Sequence, residues 1–418
     1  MNIIAGKASL WQYLTRNGSI MNFQWLQLAG LTLMHLHIDM LGGMLPAILP
    51  IIRQNYDLSL SATFTMLAVL NLSCNGIQLA IGHLRASSRQ PLFLFLGISL
   101  TAALCVFGLL PRTDYTFPLL LMLMVIGGSG VAMIHPEGLR AVHALNRLPS
   151  SIATVLFMVG GNLGFAGGGY LSALLVSRWG LAGLLPLLFI TPLSLAAMRF
   201  LRINLSVDSE ETENISDDLT NTAIQASGFS FGHLMLLSIP VTTATVLLTG
   251  YLPTYLHELG FHISFGGLSA LIFGASGVIG SIIWGIFVRS AGEYKIVKVC
   301  LLAGIPFLIA YLFTMQYQSA LILLAGAGFC LMAVFPLLVS IARYASGYNL
   351  GRRMALIVGG SWGTASIIMM LTGVVADALG VRLILLTALA VYIISGILVV
   401  SLSPERILYR KRSAARNS

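Results

Sequence analysis

The stretch that decides the fold is Leu28-Ala-Gly-Leu-Thr-Leu-Met-His35-Leu-His37-Ile-Asp39-Met-Leu-Gly-Gly-Met-Leu-Pro46. It is an apolar run long enough to cross a bilayer, which takes about 20 residues of helix, yet two histidines and a carboxylate stand in its middle. An ionisable group at membrane depth is costly unless it faces a polar cavity or a partner, so it marks a functional site. His35 and Asp39 are four residues apart and stack on one helical face. His37 points elsewhere and is expected to pack against a neighbouring helix.

The rest of the 418-residue chain has the same character, with 57% hydrophobic and 9% charged residues, where a soluble domain carries roughly 25% charged. The composition defines a polytopic membrane protein. The formal net charge of +9 does not point to nucleic acid, because the basic residues are scattered through short loops rather than clustered on a soluble face. Cys74, Cys105, Cys300 and Cys330 lie inside apolar runs without metal or redox spacing, so buried structural thiols are expected and no disulfide framework.

Hydropathy predicts spans near 26–50, 60–82, 91–111, 117–135, 150–176 and 182–198, then near 231–256, 264–288, 299–315, 319–342, 354–376 and 383–402. The expected class is an all-α membrane protein with twelve spans in two six-helix bundles, 26–198 and 231–402. Residues 1–25 form a cytoplasmic N-terminal segment that could hold a short interfacial helix. Residues 199–230 form a linker and 403–418 a basic tail. The linker holds Asp208, Glu210, Glu211, Glu213, Asp217 and Asp218 among Ser, Thr and Asn, a composition that cannot bury a core. With both termini placed in the cytoplasm, nineteen of the 23 Lys and Arg fall on that side, and only Arg53, Arg112, Arg178 and Arg382 fall outside. This is a positive-inside pattern and favours an even number of spans. The same alternation sets the remaining acids, Glu137 and Asp377 among them, in loops or at helix ends, leaving Asp39 alone at depth. Two bundles joined by a polar linker fit a secondary transporter with its site between the halves.

Asp39 with His35 is the sharpest constellation. Two readings stand side by side: a proton-coupling pair that titrates as a unit, or a histidine that bonds the carboxylate to hold the helix in register. Asn71, Asn75 and Gln78 form a polar stripe on the second span, which either lines the substrate cavity or bonds another helix. In the fifth span Gly160, Gly164 and Gly168 make a small-residue ridge for close packing, with Gly161 beside it; a gating hinge is the alternative. Asn162, Thr242, Thr245 and Trp362 are further cavity candidates. Gly127-Gly-Ser129-Gly has the pattern of intramembrane serine proteases, but such a serine needs a histidine on another helix, and twelve spans exceed that class; a packing surface is the plainer reading. No phosphate loop, nucleotide fingerprint or metal-spaced cluster occurs in the linear sequence, so neither a cofactor nor a bound metal is expected.

The chain resembles the major facilitator superfamily and, within it, the fosmidomycin-resistance type of efflux transporter. The residues that carry the resemblance are His35-Leu-His-Ile-Asp39, Ile134-His135-Pro136-Glu137 closing the fourth span, Gly160-Gly161-Asn162-Leu-Gly164, and Thr372-Gly373-Val-Val-Ala-Asp377 ending the eleventh. It implies export of a small antibiotic-like or amphipathic molecule against proton entry across the bacterial inner membrane, by a monomer whose halves rock. His135, Glu137 and Asp377 then join the glycines as gating or packing residues. The superfamily's inner-gate loop, Gly-x-x-x-Asp-Arg-x-Gly-Arg, is altered: Gly82-His-Leu-Arg85-Ala86-Ser-Ser-Arg89 has alanine at the aspartate position, and Arg289 occupies the acidic position of the corresponding loop in the second half. Import of a nutrient or siderophore-like solute is the alternative direction.

Overall fold

A computed structural model of the chain describes residues 3–84, 89–206, 229–348 and 350–404; Arg85 lies outside them. Among the described residues there is no strand, only helices and an isolated bridge between Ser230 and Ser346. Among the described residues, ten helical stretches are long and apolar enough to cross a membrane by length and composition.

The first helix, α1 (Ile3–Gly42), is continuous from the N-terminal segment into the first span. It stops at Gly42-Gly43, and α2 (Leu45–Tyr56) resumes with Pro46 in its first turn, a position where the missing N–H is no loss. The expected single span 26–50 is therefore two helices. Gly43 is needed at the junction because a Cβ there would stand 2.1 Å from the Phe165 carbonyl oxygen. The second span is α3 (Leu60–Leu84). The third shortens to α4 (Leu92–Thr101), followed by 3₁₀ turns over Ala102–Cys105 and Phe107–Leu109.

The fourth span, α5 (Thr116–His143), corrects the sequence reading most. It does not close at His135-Pro136 but carries Pro136 inside it. A proline removes one hydrogen bond and crowds the preceding turn, yet here the helix runs on for two more turns. Glu137 is thereby inside a helix and 1% exposed, so Asp39 is not the sole buried acid.

The fifth span is α6 (Ser150–Trp179). Gly180, at φ +62°, ends it, and a 3₁₀ stretch over Gly180–Phe189 leads into α7 (Ile190–Phe200). The first residues of the expected linker, 199–230, are packed against the helices. Leu201, Ile203 and Leu205 are buried by alternation, and the Arg140 guanidinium donates twice to the Ser206 carbonyl. The acidic part of that segment lies outside the described residues.

Beyond it come α8 (Phe231–Glu258), α9 (Ile263–Ala291) and α10 (Glu293–Thr314). The tenth expected span divides into α11 (Leu321–Leu331) and α12 (Val334–Ile341). The eleventh is α13 (Leu350–Ala355), a π turn over Leu356–Gly360, and α14 (Ser361–Leu379). The last is α15 (Val381–Ser401).

Two seams join the elements before residue 207 to those after 228. In one, α6 meets α9 across small residues: a Cβ on Gly267 would stand 2.6 Å from the Gly169 carbonyl oxygen, and one on Gly274 would stand 2.5 Å from the Ala166 Cβ. In the other, α3 meets α8 and α14. Phe64 stacks on Tyr251 with ring centroids 3.5 Å apart, and Gly373 leaves room for Ser61. Membrane helices have little hydrophobic drive toward one another, so close approach through small residues is what holds such seams.

Candidate functional site

Within Met21–Tyr56, a 36-residue apolar stretch, Asp39 stands about halfway. One face of α1 is set by Leu28, Leu31, Met34 and Ile38, buried against Leu94 and Ile98 of α4, Ile134 of α5 and Phe157 of α6. That packing fixes the rotation of α1 and turns His35 and Asp39 toward α5 and α6.

His35 is 1% exposed. Its ring stacks on Phe157 with centroids 4.1 Å apart, and its Nδ1 lies 2.9 Å from the Phe157 carbonyl oxygen. A carbonyl only accepts, so Nδ1 carries the proton and donates. The other nitrogen, Nε2, then faces Asp39 Oδ2 at 3.2 Å, without an aligned hydrogen bond. In a neutral ring that nitrogen is a lone pair directed at a carboxylate. A proton, a cation or a water donating to both would relieve the contact between these two acceptors.

The third member comes from α5. His135 Nε2 lies 3.2 Å from Asp39 Oδ1, so each carboxylate oxygen faces one imidazole. The two rings meet edge to face, with centroids 5.2 Å apart. His135, expected among the gating or packing residues, thus faces the same carboxylate as His35. Its place follows from the unbroken α5: a helix ended at residue 135 would leave this ring on a fraying turn. The triad has an open edge, since the side chains of Asp39 and His135 are 15% and 25% exposed while that of His35 is closed off.

Gly161 makes the room. A Cβ there would stand 2.4 Å from the His35 ring and 2.6 Å from Asp39 Oδ2. Its neighbours do a different job: at Gly160, Gly164 and Gly168 a Cβ would strike the backbone oxygens of Thr32, Leu36 and Met40, at 2.6, 2.2 and 2.0 Å. The ridge is the bed on which α1 lies, which is its packing reading.

His37, as its offset suggests, leaves the site and pairs through Nδ1 with the Ser194 hydroxyl of α7 at 2.9 Å. Glu137 accepts from the Leu94 backbone N–H at 3.0 Å, capping the amino end of α4, where a carboxylate is favoured by the exposed N–H groups. Asp377 does the same across the second seam: its two oxygens accept from Leu60 N at 2.7 Å and Ser61 N at 2.9 Å, holding the end of α14 to the start of α3.

The remaining candidates divide. Asn71, Asn75 and Gln78 are half-buried on α3, and the Asn75 amide donates to the Asn71 carbonyl at 2.9 Å. Asn162 is exposed on α6, turned away from the triad. Thr242 and Thr245 are buried between helices rather than lining an open space. The Thr242 hydroxyl reaches the carbonyls of Ser238 and Ser361, and that of Thr245 pairs with the Tyr392 hydroxyl at 2.8 Å. Trp362 is half-buried, edge-on to Phe335. Arg289 is exposed in the last turn of α9. The Ser129 hydroxyl donates to the Val125 carbonyl of its own helix, while His35 and His135 both face Asp39, so no serine–histidine pair forms there.

A helical multi-pass membrane protein with an ionisable cluster within a span fits the class of membrane transporters. Residues 31–342 match the family model of the Major Facilitator Superfamily, and the chain belongs to that superfamily. It is 24% identical over 356 residues to YfnC, an uncharacterised MFS-type transporter of Bacillus subtilis (strain 168), covering 83% of this chain and 85% of that one. It is 21% identical over 366 residues to the fosmidomycin resistance protein of Escherichia coli (strain K12), covering 85% and 88%. Among solved structures, the nucleoside transporter NupG superposes with a TM-score of 0.70 at 11% identity, over 90% of this chain and 100% of that one. A bacterial homologue of the human lysosomal transporter Spinster, inward-facing and occupied, superposes at 0.66 and 15%, over 91% and 97%. At these identities the structural likeness establishes the fold.

Proposed function

We propose that the chain is a proton-coupled secondary transporter that exports a small antibiotic-like or amphipathic molecule by alternating access. Its architecture is twelve spans in two six-helix bundles, 26–198 and 231–402. The N-terminal segment (1–25), the linker (199–230) and the basic tail (403–418) face the cytoplasm of a bacterial inner membrane. The ten apolar stretches and the superposition on solved transporters over nine-tenths of the chain support this. Within Ile152–Phe200, the turn at Gly180 gives room for two spans.

The observation that carries the reading is a single carboxylate at mid-span with an imidazole on each oxygen. Asp39 is the proton carrier, with His35 and His135 setting how the charge is shared. When a proton enters from outside, the triad loses a net negative charge and the halves rock; release to the cytoplasm resets the substrate side. A substrate drives the cycle only by binding the two states differently. Similarity to a fosmidomycin resistance protein favours export of a small antibiotic-like molecule over import.

Everted vesicles with an imposed pH gradient test the reading. Compounds including fosmidomycin are added to wild type and to Asp39→Asn. Collapse of the gradient by one compound in wild type, absent in the variant, is expected. Equal collapse in both removes Asp39 from coupling. A compound that moves in the same direction as protons in a counterflow assay makes the protein a symporter.

A further inference from the structure

The geometry points to a divalent transition-metal site of zinc type in the triad His35, Asp39 and His135, an inference that rests on the site described above but not on the direction of transport. The three groups each offer a ligand atom, and all lie within 4.8 Å of one another. Each imidazole nitrogen is 3.2 Å from a carboxylate oxygen. Ligand atoms around a tetrahedral zinc with bonds of about 2.0–2.1 Å are themselves about 3.3 Å apart; each imidazole meets this against its own oxygen of Asp39, so a metal held by both rings takes the carboxylate through both oxygens or draws the rings slightly inward. The set is two imidazoles and one carboxylate, a borderline donor group that suits zinc, cobalt or nickel and not magnesium or calcium, which seek oxygen.

A second, independent observation comes from His35. Its Nε2 is buried and without an aligned hydrogen-bond partner, while Nδ1 donates to the Phe157 carbonyl at 2.9 Å. That outer bond is the one a metal-binding histidine makes: it fixes the tautomer and presents the free lone pair inward. The lone pair is aimed at the space that Gly161 leaves beside Asp39, where a side-chain carbon would stand 2.4 Å from the ring. The open edge at Asp39 and His135 admits the ion and leaves a fourth position for water. Among the described residues, the titratable groups facing Asp39 are His35 on its own helix, His135 on α5 and the Cys74 thiol on α3, while α6 brings Gly161 and, behind His35, the Phe157 ring. Among the described residues, no lysine or arginine pairs with Asp39.

The test is direct binding to the purified full chain in detergent at fixed pH. Calorimetric titration with zinc chloride is expected to show one equivalent bound, undisturbed by a large excess of magnesium. Asp39→Asn and His135→Gln are each expected to weaken it at least ~10-fold, the lower end of what even outer-shell changes cost. Should those variants aggregate, His135→Cys keeps a ligand in place, and with cobalt(II) it is expected to add a thiolate-to-metal charge-transfer band that wild type lacks. Absence of zinc binding in wild type, undiminished binding in Asp39→Asn or His135→Gln, or no such band in His135→Cys overturns the inference. Zinc bound at the triad with no proton exchange by any compound would sink the transport reading alone; proton exchange without zinc binding would sink only the metal site.

Discussion

The carboxylate of Asp39 is held by what surrounds it rather than by α1 alone, and single-residue changes separate the parts. Gly161→Ala puts a carbon at 2.4 Å from the His35 ring and 2.6 Å from Asp39 Oδ2. Overpacking of this kind costs about 1–3 kcal/mol, enough to displace the pair. Proton exchange in vesicles is expected to fall ~10-fold or more, while the variant still elutes as a single species in detergent. Normal exchange would show that the close approach of α6 to the triad is not needed. Glu137→Ala acts differently. It leaves the Leu94 N–H, buried at the start of α4, without its 3.0 Å acceptor, a loss of about 1–3 kcal/mol. A lower thermal midpoint in detergent is expected; an unchanged midpoint would mean that the cap is not holding α4. The i, i+4 spacing made His35 and Asp39 legible in the sequence. His135 was not legible as a partner, because it lies 96 residues away and the proline beside it reads as a helix end.

At the scale of elements, the apolar runs announce nearly every helix, because lipid forces backbone groups to pair within the segment. What they do not announce is where a helix is interrupted inside its run. The breaks at Gly43, after Thr101 and around Met332, and the π turn at Leu356–Gly360, keep the same hydropathy as their flanks and are set by neighbours. Asp377 is the reverse case, a charged residue whose motif was visible but whose partner was not. Its two bonds tie α14 to α3 at the end that carries residues 57–59, the outer end in the proposed topology. Loss of an N-terminal cap costs about 1 kcal/mol, equivalent to roughly a fivefold shift in a two-state balance. Asp377→Ala is therefore expected to favour opening of that end. Leu67, 4% exposed at the same seam, gives the readout: in a Leu67→Cys background, labelling by a membrane-impermeant maleimide is expected to rise about fivefold. Unchanged labelling would make the cap a feature of α3 alone.

For the molecule as a whole, the proposed cycle requires the two sides of the α6–α9 seam to separate. The residues there are small and touch backbone to backbone, so the seam can close tightly without side-chain interlocking and can part without breaking ion pairs. A covalent bond across it is the sharpest test. A Cβ on Gly169 would stand 3.5 Å from the Cβ of Ala270, at the near limit of the range a disulfide spans. The native cysteines are free, and three of them are buried. In a Gly169→Cys/Ala270→Cys protein, oxidation is expected to stop proton exchange almost completely and a reducing agent to restore it, with either single variant insensitive to both. The cross-link fastens this end of the seam shut, so a transporter that must open there cannot complete a turn. If the oxidised protein, shown by gel shift to be cross-linked, exchanged protons at the reduced rate, α6 and α9 would move as one body and the rocking would have to occur about another seam.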